Sequence, residues 1–225
     1  MAVEVDMNTE KPVREGSLEK RTAILAAARD LFVQQGVERV SMDAVAARAQ
    51  VSKRTVYDYF GDKRRLFLAI LTAASDSMLA TTRRALDEHL PTDAQITTVP
   101  QLEKALTAFA IDLGTSIVGS ADYAAAFALV AQQRLHTPTT TDDLATEAAS
   151  QELADRLAHF ADTGLLDTDN PRLAADHFSA LTVLLAYERQ PVPATADPEK
   201  VRRIMADGVH AFIRAYARRA HGRGG

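Results

Sequence analysis

Hydrophobic residues recur every three or four positions along most of this chain, which is the period of an α-helix with one buried face. The first stripe begins after Ser17 and ends at Gly36, a residue type that favours helix termination. Two shorter stripes follow Ser41 and Ser52, and serine is a common N-terminal cap. The remaining stripes predict longer helices at 66–89, 101–118, 122–135, 141–163, 171–189 and 198–219. No stretch alternates as a strand does, so the sequence predicts an all-α fold.

Composition narrows the class of protein. With 225 residues, 47% of them hydrophobic and 25% charged, the chain can bury a core without disulfides or structural metals. It has no cysteine, which excludes disulfide frameworks, thiol nucleophiles and cysteine-ligated zinc. The apolar run at 124–131 is too short to span a bilayer, and the N-terminus lacks the apolar stretch of a secretory signal. We therefore expect a globular, cytoplasmic protein with no membrane partner.

Basic residues are concentrated near the N-terminus. The formal net charge is −4 for the whole chain, but it is +2 for residues 1–65 and −6 for residues 66–225. Within 41–65, six basic side chains stand against three acidic ones. Because an average charge hides such a patch, the acidic total does not exclude a nucleic-acid partner.

The segment 40–60 has the features of a helix-turn-helix. Two short helices can cross closely only where the contact residues are small, and Ala46 and Ala49 meet that need. The second helix would then expose Lys53, Arg54, Thr55, Tyr57 and Asp58. Lysine and arginine reach guanine edges or phosphates, and threonine and tyrosine hydroxyls bond phosphates or bases. The chemistry of this face matches the major groove of DNA.

Residues 17–71 resemble the DNA-binding head of the TetR family of bacterial transcriptional regulators. The residues that carry the resemblance are Ile24, Ala27, Ala28, Leu31, Phe32, Gly36, Met42, Val45, Ala46, Val51, Ser52, Lys53, Thr55, Val56, Tyr57, Tyr59, Phe60, Lys63 and Leu66. The DNA-contacting set that the resemblance implies is Ser41, Ser52, Lys53, Arg54, Thr55, Tyr57 and Lys63. Of these, the family places Ser41, Tyr57 and Lys63 at phosphates, and the three residues 53–55 at base edges.

Two residues depart from the family's usual sequence. Gln50 stands in the turn where the family usually has glycine, and a left-handed backbone there would cost a residue with a side chain about 1 kcal/mol. Arg54 stands where a small residue is common, which adds a long cation to the recognition helix. We expect Gln50 to strain the turn and Arg54 to alter the preference among DNA sequences.

The resemblance implies three parts: a flexible arm at 1–16, a helix-turn-helix domain at 17–62, and a ligand-binding and dimerisation domain at 63–225. It also implies a homodimer built on the last two helices, which suits a palindromic operator with heads about 34 to 36 Å apart. The dimer-interface residues that we predict are Phe178, Leu181, Leu185, Val201, Ile204, Met205, Val209, Phe212, Ile213 and Tyr216. The alternative is that this apolar stripe closes the core of the chain itself.

The helices between 101 and 189 should enclose an apolar pocket for a small-molecule effector, and 122–188 is somewhat similar to the AefR-like type of TetR body. The polar or aromatic lining residues that we predict are Phe109, Asp112, Tyr123, Phe127, Gln132, His159, His177 and Phe178. Each of them also fits an ordinary core or surface position.

Nothing in the sequence indicates catalysis or a cofactor. The six histidines show no paired ligand spacing, and no phosphate-binding or nucleophile motif occurs. We therefore predict a ligand-responsive regulator, most simply a repressor, and neither an enzyme nor a metal protein. A helical small-molecule-binding protein without DNA regulation and an all-α enzyme are the alternatives. The sequence identifies neither the effector, the operator nor the regulated genes, and it leaves repressor versus activator open.

Overall fold

The computed structural model describes residues 15–92, 96–134, 143–192 and 195–218, and most of these are helical. The helices are α1 (Glu15–Gln35), α2 (Met42–Arg48), α3 (Lys53–Phe60), α4 (Lys63–His89), α5 (Val99–Val118), α6 (Ala121–Arg134), α7 (Asp143–Asp162), α8 (Pro171–Ser179), α9 (Leu185–Arg189) and α10 (Pro198–Tyr216). A 3-10 turn, Val37–Arg39, follows α1, and a π-helical segment, Ala180–Leu184, joins α8 to α9. Over these ranges the one extended pairing is an isolated bridge between Leu166 and Ala217.

The all-α prediction is confirmed, and the predicted helices are found close to their expected bounds. The helix α1 begins earlier than expected, at residue 15, so it includes the last two positions of the predicted arm. The rest of the arm, 1–14, lies outside the described residues, as do the predicted helix ends at 135, 141–142 and 219.

The chain divides into two compact units, Met1–Ile70 and Leu71–Gly225, so the boundary falls inside α4. The sequence placed it at the start of that helix, between residues 62 and 63. The first turns of α4 belong to the first unit because their apolar side chains complete its core. Leu66 is fully buried, and the rings of Phe32 and Phe67 lie 6.3 Å apart.

Serine caps and one unusual turn fix the geometry of the first unit. The hydroxyl oxygen of Ser41 accepts from the backbone N–H of Ala44 at 3.1 Å, and Ser52 does the same for Thr55 at 3.0 Å. Between the two helices, the N–H of Val51 donates to the carbonyl of Ala46, and Gln50 has a φ of 55°. This is a Schellman ending, in which the left-handed position is usually glycine. The strained turn expected at Gln50 is therefore present.

The second unit has a core in which α10 lies against α5 and the π-helical segment. Phe109, Phe178 and Phe212 are fully buried there; the ring of Phe178 is tilted against that of Phe109 and meets that of Phe212 edge to face. The approach is close because Gly208 of α10 faces the backbone carbonyl of Leu181, where a Cβ would overlap the oxygen.

This packing corrects the predicted dimer interface. Six of its ten residues are buried in the core of the second unit, so their side chains are not available to a second copy of the chain; they are Phe178, Val201, Met205, Val209, Phe212 and Ile213. The alternative weighed from the sequence, that the stripe closes the chain's own core, holds for these six. The other four are partly exposed, and they are Leu181, Leu185, Ile204 and Tyr216.

Candidate nucleic-acid interface

Helix α3 turns one face into the first unit and leaves the other open. Val56 and Phe60 are buried, whereas Lys53, Arg54 and Asp58 are exposed. The side chain of Tyr57 is 43% exposed, which is unusual for so large an apolar ring. Within the described residues, the face expected to meet DNA is thus largely exposed to solvent, and Thr55 is half-buried.

Three hydroxyls of the predicted DNA-contacting set take part in the caps. Ser41 and Ser52 are exposed at the N-terminal ends of α2 and α3, and the hydroxyl oxygens of Ser52 and Thr55 lie 2.8 Å apart. Capping leaves each hydroxyl oxygen at the solvent boundary, beside N–H groups that attract anions. The caps thus account for these serines structurally, whether or not they also contact phosphate.

Lys63 occupies the first position of α4, on the same unit. Its ammonium donates to the backbone carbonyl of Glu38 at 3.0 Å and lies 4.0 Å from the Glu38 carboxylate. Its side chain remains partly exposed, so the cation is oriented at the surface and not buried.

Two aromatic residues that follow Tyr57 on α3 are structural. Tyr59 donates its hydroxyl proton to the carbonyl of Ser17 at 2.9 Å, which ties α3 to α1. Phe60 is buried below the guanidinium of Arg21, at 5.8 Å from the ring centroid.

Two cations of this surface have acidic neighbours. The ammonium of Lys53 lies 2.8 Å from the carboxylate of Asp43 on α2, and this hydrogen bond raises the pKa of Lys53. Arg54 lies 3.8 Å from Asp58 one turn along α3. The second pair follows from i,i+4 spacing, but the first joins residues that are distant in sequence and needs the fold.

The predicted effector-lining residues do not converge on one described site. Phe109 and Phe178 face each other in the core, with ring centroids 5.9 Å apart. His177 is exposed, and its Nδ1 lies 2.5 Å from the hydroxyl of Tyr216. The side chains of Phe127 and Gln132 lie outside the described residues, and His159 is half-buried against the ring of Phe160. Core packing and surface bonding account for the four described side chains, Phe109, Phe178, His177 and His159.

Tyr123 has hydroxyl neighbours on α4. It is buried in the core of the second unit, and its hydroxyl lies 3.1 Å from those of Ser77 and Thr81 on α4. Next to them, Thr82 is 3% exposed, and its hydroxyl has no hydrogen-bond partner among the described residues. The sequence analysis missed this strip of hydroxyls because threonine and serine are equally common on exposed helical faces.

Asp112 belongs to a surface network instead of a pocket. Both of its carboxylate oxygens accept from the guanidinium of Arg84, at 2.8 and 2.9 Å, and one lies 3.0 Å from Nε2 of His89. The hydrogen bond from Arg84 holds the pKa of Asp112 below its usual value. Ligand atoms of Glu88, His89 and Asp112 lie within 4.8 Å of one another, but a metal ion would have to displace the arginine.

A groove of about 610 Å³ runs along α10 beside the π-helical segment and α9. Its apolar floor includes Leu181, Leu185 and Ile204, and its charged rim includes Arg189, Lys200, Arg203 and Asp207. Leu184, which precedes the groove residue Leu185 in the sequence, is 49% exposed. Three of the four accessible residues of the predicted interface line the groove, and they are Leu181, Leu185 and Ile204; Tyr216 does not.

A helix-turn-helix with an open, basic recognition helix, followed by a larger helical unit, defines a DNA-binding transcriptional regulator. The family profile described as "Bacterial regulatory proteins, tetR family" matches residues 24–70. The profile described as "AefR-like transcriptional repressor, C-terminal domain" matches residues 104–218, about half of the chain. The chain belongs to the TetR family of transcriptional regulators.

Individual relatives agree with this assignment. The transcriptional activator FasR of Mycolicibacterium smegmatis is 40% identical over 68 residues, which cover 30% of this chain and 31% of FasR. The chain spans about a third of the length of the curated relatives that it matches. A TetR-family regulator from Mesorhizobium loti has the same fold, with a TM-score of 0.67 at 22% identity over 92% of this chain and all of that one. The flavonoid-responsive regulator FrrA has a TM-score of 0.62 at 26% identity, and the match covers 89% of this chain and 98% of FrrA.

In the part of the chain that the structure describes, no helix has the length and apolar character needed to cross a membrane.

Proposed function

We propose that this regulator is a repressor that binds a palindromic operator as a homodimer and releases it when a small molecule occupies the second unit. The observation that carries the proposal is the open face of α3, where two cations, a threonine and a half-exposed tyrosine stand together on the second helix of a helix-turn-helix. A protein that acts on chromosomal operators works in the cytoplasm, and we propose no catalytic role for it.

The DNA contacts can be tested by sorting variants into two classes. We expect Tyr57→Phe and Lys63→Ala to weaken binding to every duplex, because phosphate contacts carry no sequence information. Lys63→Ala should also reduce the salt dependence, because it removes a cation that neutralises a phosphate, whereas Tyr57→Phe should leave the salt dependence unchanged. Lys53→Ala and Arg54→Ala should instead change the preference among sequences, because base edges are read by hydrogen bonds. The matched control is Lys104→Ala, which removes an exposed cation from α5.

The assay uses the full-length protein and a pool of random duplexes, from which the operator is selected. Affinities for the selected duplex and for unselected DNA are then measured by fluorescence anisotropy at several salt concentrations. Unchanged affinity and unchanged preference in all four head variants would refute the proposed contacts.

The homodimer is proposed on the accessible part of the α10 groove. Leu184 is half-exposed and directly precedes Leu185, which lines the groove. Burying its exposed half against a second copy gains about 0.7 to 1.5 kcal/mol, half of what full burial of a leucine gives. We expect Leu184→Asp to give a monomer in sedimentation and to abolish binding to a palindrome while retaining weak binding to a half-site. Leu173→Asp is the matched control, because Leu173 is 46% exposed on α8 and lies outside the groove.

The effector is proposed to bind near the hydroxyl strip of α4 and Tyr123. The buried hydroxyl of Thr82 supports this, because a group without a partner gains a hydrogen bond when a polar ligand atom arrives. Native mass spectrometry of the purified protein would detect a compound carried along, and adding that compound should release operator DNA. Release requires only that the compound prefer the DNA-incompetent state by about 1 to 3 kcal/mol. The helix α4, which begins in one unit and ends in the other, is the covalent link between them.

A further inference from the structure

The ammonium of Lys53, one of two cations on the exposed face of α3, is paired with a carboxylate on α2. The ammonium of Lys53 lies 2.8 and 3.1 Å from the two carboxylate oxygens of Asp43, and 5.9 Å from the centre of the Tyr57 ring. Both charged side chains keep about 60% of their surface in solvent (59% and 62%), so the pair lies on the face that would meet DNA. We call these three residues the Lys53 clamp.

The clamp follows from where the two helices begin. Asp43 lies in the first turn of α2, where the helix dipole favours an acid, and Lys53 is the first residue of α3, where the dipole disfavours a cation. Pairing with Asp43 offsets that repulsion and raises the pKa of Lys53, so the ammonium stays charged. Both helix starts are fixed by serine caps, so the two side chains meet without a change in backbone.

Other charge pairs of the same surface differ from the clamp in geometry. Arg54 and Asp58 are 3.8 Å apart on one helix, and the arginine side chain is 90% exposed. Arg65 and Asp62 are 3.6 Å apart, also on neighbouring turns. These pairs are longer and join residues three or four positions apart, and exposed pairs of this kind contribute little. The clamp is shorter, and it links the two helices of the motif.

We propose that Asp43 is a specificity-determining residue that competes with DNA phosphates for Lys53. A phosphate of arbitrary DNA offers Lys53 one ion pair, which replaces the pair that it loses, while the Asp43 carboxylate repels the backbone. A guanine edge in a matching site offers directional hydrogen bonds as well. The clamp therefore weakens non-specific binding more than binding to the operator. This inference rests on the proposed DNA-binding function of α3.

The test compares Asp43→Asn with the wild type on two probes, a random-sequence duplex and the duplex selected by the wild-type protein. We expect non-specific affinity to rise by about threefold to tenfold at low salt, and the salt slope to steepen by about 1 per head because one more phosphate is neutralised. Operator affinity should change less, so the ratio of the two affinities falls. Asp43→Glu keeps the charge and should retain the wild-type ratio.

Two controls separate the clamp from a general change in charge. Asp58→Asn removes the same charge from the same face and should alter the salt slope by clearly less than Asp43→Asn. In a Lys53→Ala background, Asp43→Asn should have little further effect, because no cation remains to be released. Circular dichroism melting confirms that each variant is folded at the assay temperature.

Each outcome has a separate meaning. If the wild type binds no duplex even at low salt, the proposed function fails, and this inference fails with it. If the wild type binds but Asp43→Asn leaves non-specific affinity unchanged, only the inference is overturned. It is also overturned if the substitution acts equally in the Lys53→Ala background, or if it weakens operator binding, since Asp43 would then position Lys53 and not compete for it.

Discussion

Replacing Gln50 by glycine should stabilise the first unit, although no contact is added. Gln50 is exposed, and it holds a φ of 55° between α2 and α3. Two backbone hydrogen bonds require that conformation, one from Gln50 to the carbonyl of Ala47 at 3.2 Å and one from Val51 to Ala46 at 3.0 Å. The Cβ atom of Gln50 makes the left-handed conformation costly, and glycine lacks that atom.

The magnitude follows from two opposing contributions. A left-handed residue with a side chain costs about 1 to 2 kcal/mol relative to the right-handed conformation. Glycine removes this strain, but it also gives the unfolded chain more freedom, which costs about 0.5 to 1 kcal/mol. The net expectation for Gln50→Gly is a gain of about 0.5 to 1 kcal/mol in the free energy of unfolding. Gln50→Ala removes the long side chain but keeps the Cβ, so it should give no gain.

Hydrogen exchange of the full chain is the suitable assay, because a chain with two compact units need not unfold in one step. Peptides covering 40–60 report the opening of α2 and α3. Exchange there should slow by about twofold to fivefold in Gln50→Gly, while peptides from α5 and α10 stay unchanged. Faster exchange, or equal slowing in Gln50→Ala, would show that the strain argument is wrong.

Further predictions concern the second unit, and each is read from thermal or urea unfolding of the full chain. Thr82→Val should raise stability by about 1 kcal/mol because it removes a buried hydroxyl without a described partner, whereas Thr182→Val should lower it by about 1 kcal/mol because that hydroxyl donates to a backbone carbonyl at 2.6 Å. A destabilised Thr82→Val would indicate a partner outside the described residues. Asp112→Asn should lower the melting temperature at pH 7, and the difference should shrink in acid: the pKa of this carboxyl is depressed in the folded state, so its contribution is lost as the pH falls through that value. A difference that persists at low pH would contradict the ion-pair explanation. Gly208→Ala should cost about 2 kcal/mol or more and Gly114→Ala clearly less, because the new methyl meets a rigid backbone carbonyl in one case and the flexible end of a methionine in the other. Equal costs would mean that the backbone gives way as easily as a side chain.

The local features of the first unit were predictable because they depend on residues that are close in sequence. Ser41 and Ser52 are caps in the structure as the sequence indicated, and each bonds an N–H three positions later. The turn at Gln50 was predictable in the same way, since a short turn between two helices needs a left-handed residue. The clamp between Asp43 and Lys53 was not predictable, because the nine intervening residues bring the two side chains together only after the helices cross.

Periodicity shows that a helical face is buried, but it does not show what covers it. The stripe of α10 is regular enough for either a dimer or a core, and resemblance to a dimeric family favoured the first. One residue of the stripe distinguishes the two. Gly208 stands at its centre, and a glycine that the helix tolerates at a cost of about 1 kcal/mol indicates close backbone approach. Gly208 lies against the backbone of Leu181 in the same chain, so this part of the stripe packs in the chain's own core. Any second copy must therefore use the residues beside the stripe, where Leu184 and the charged rim of the groove remain accessible.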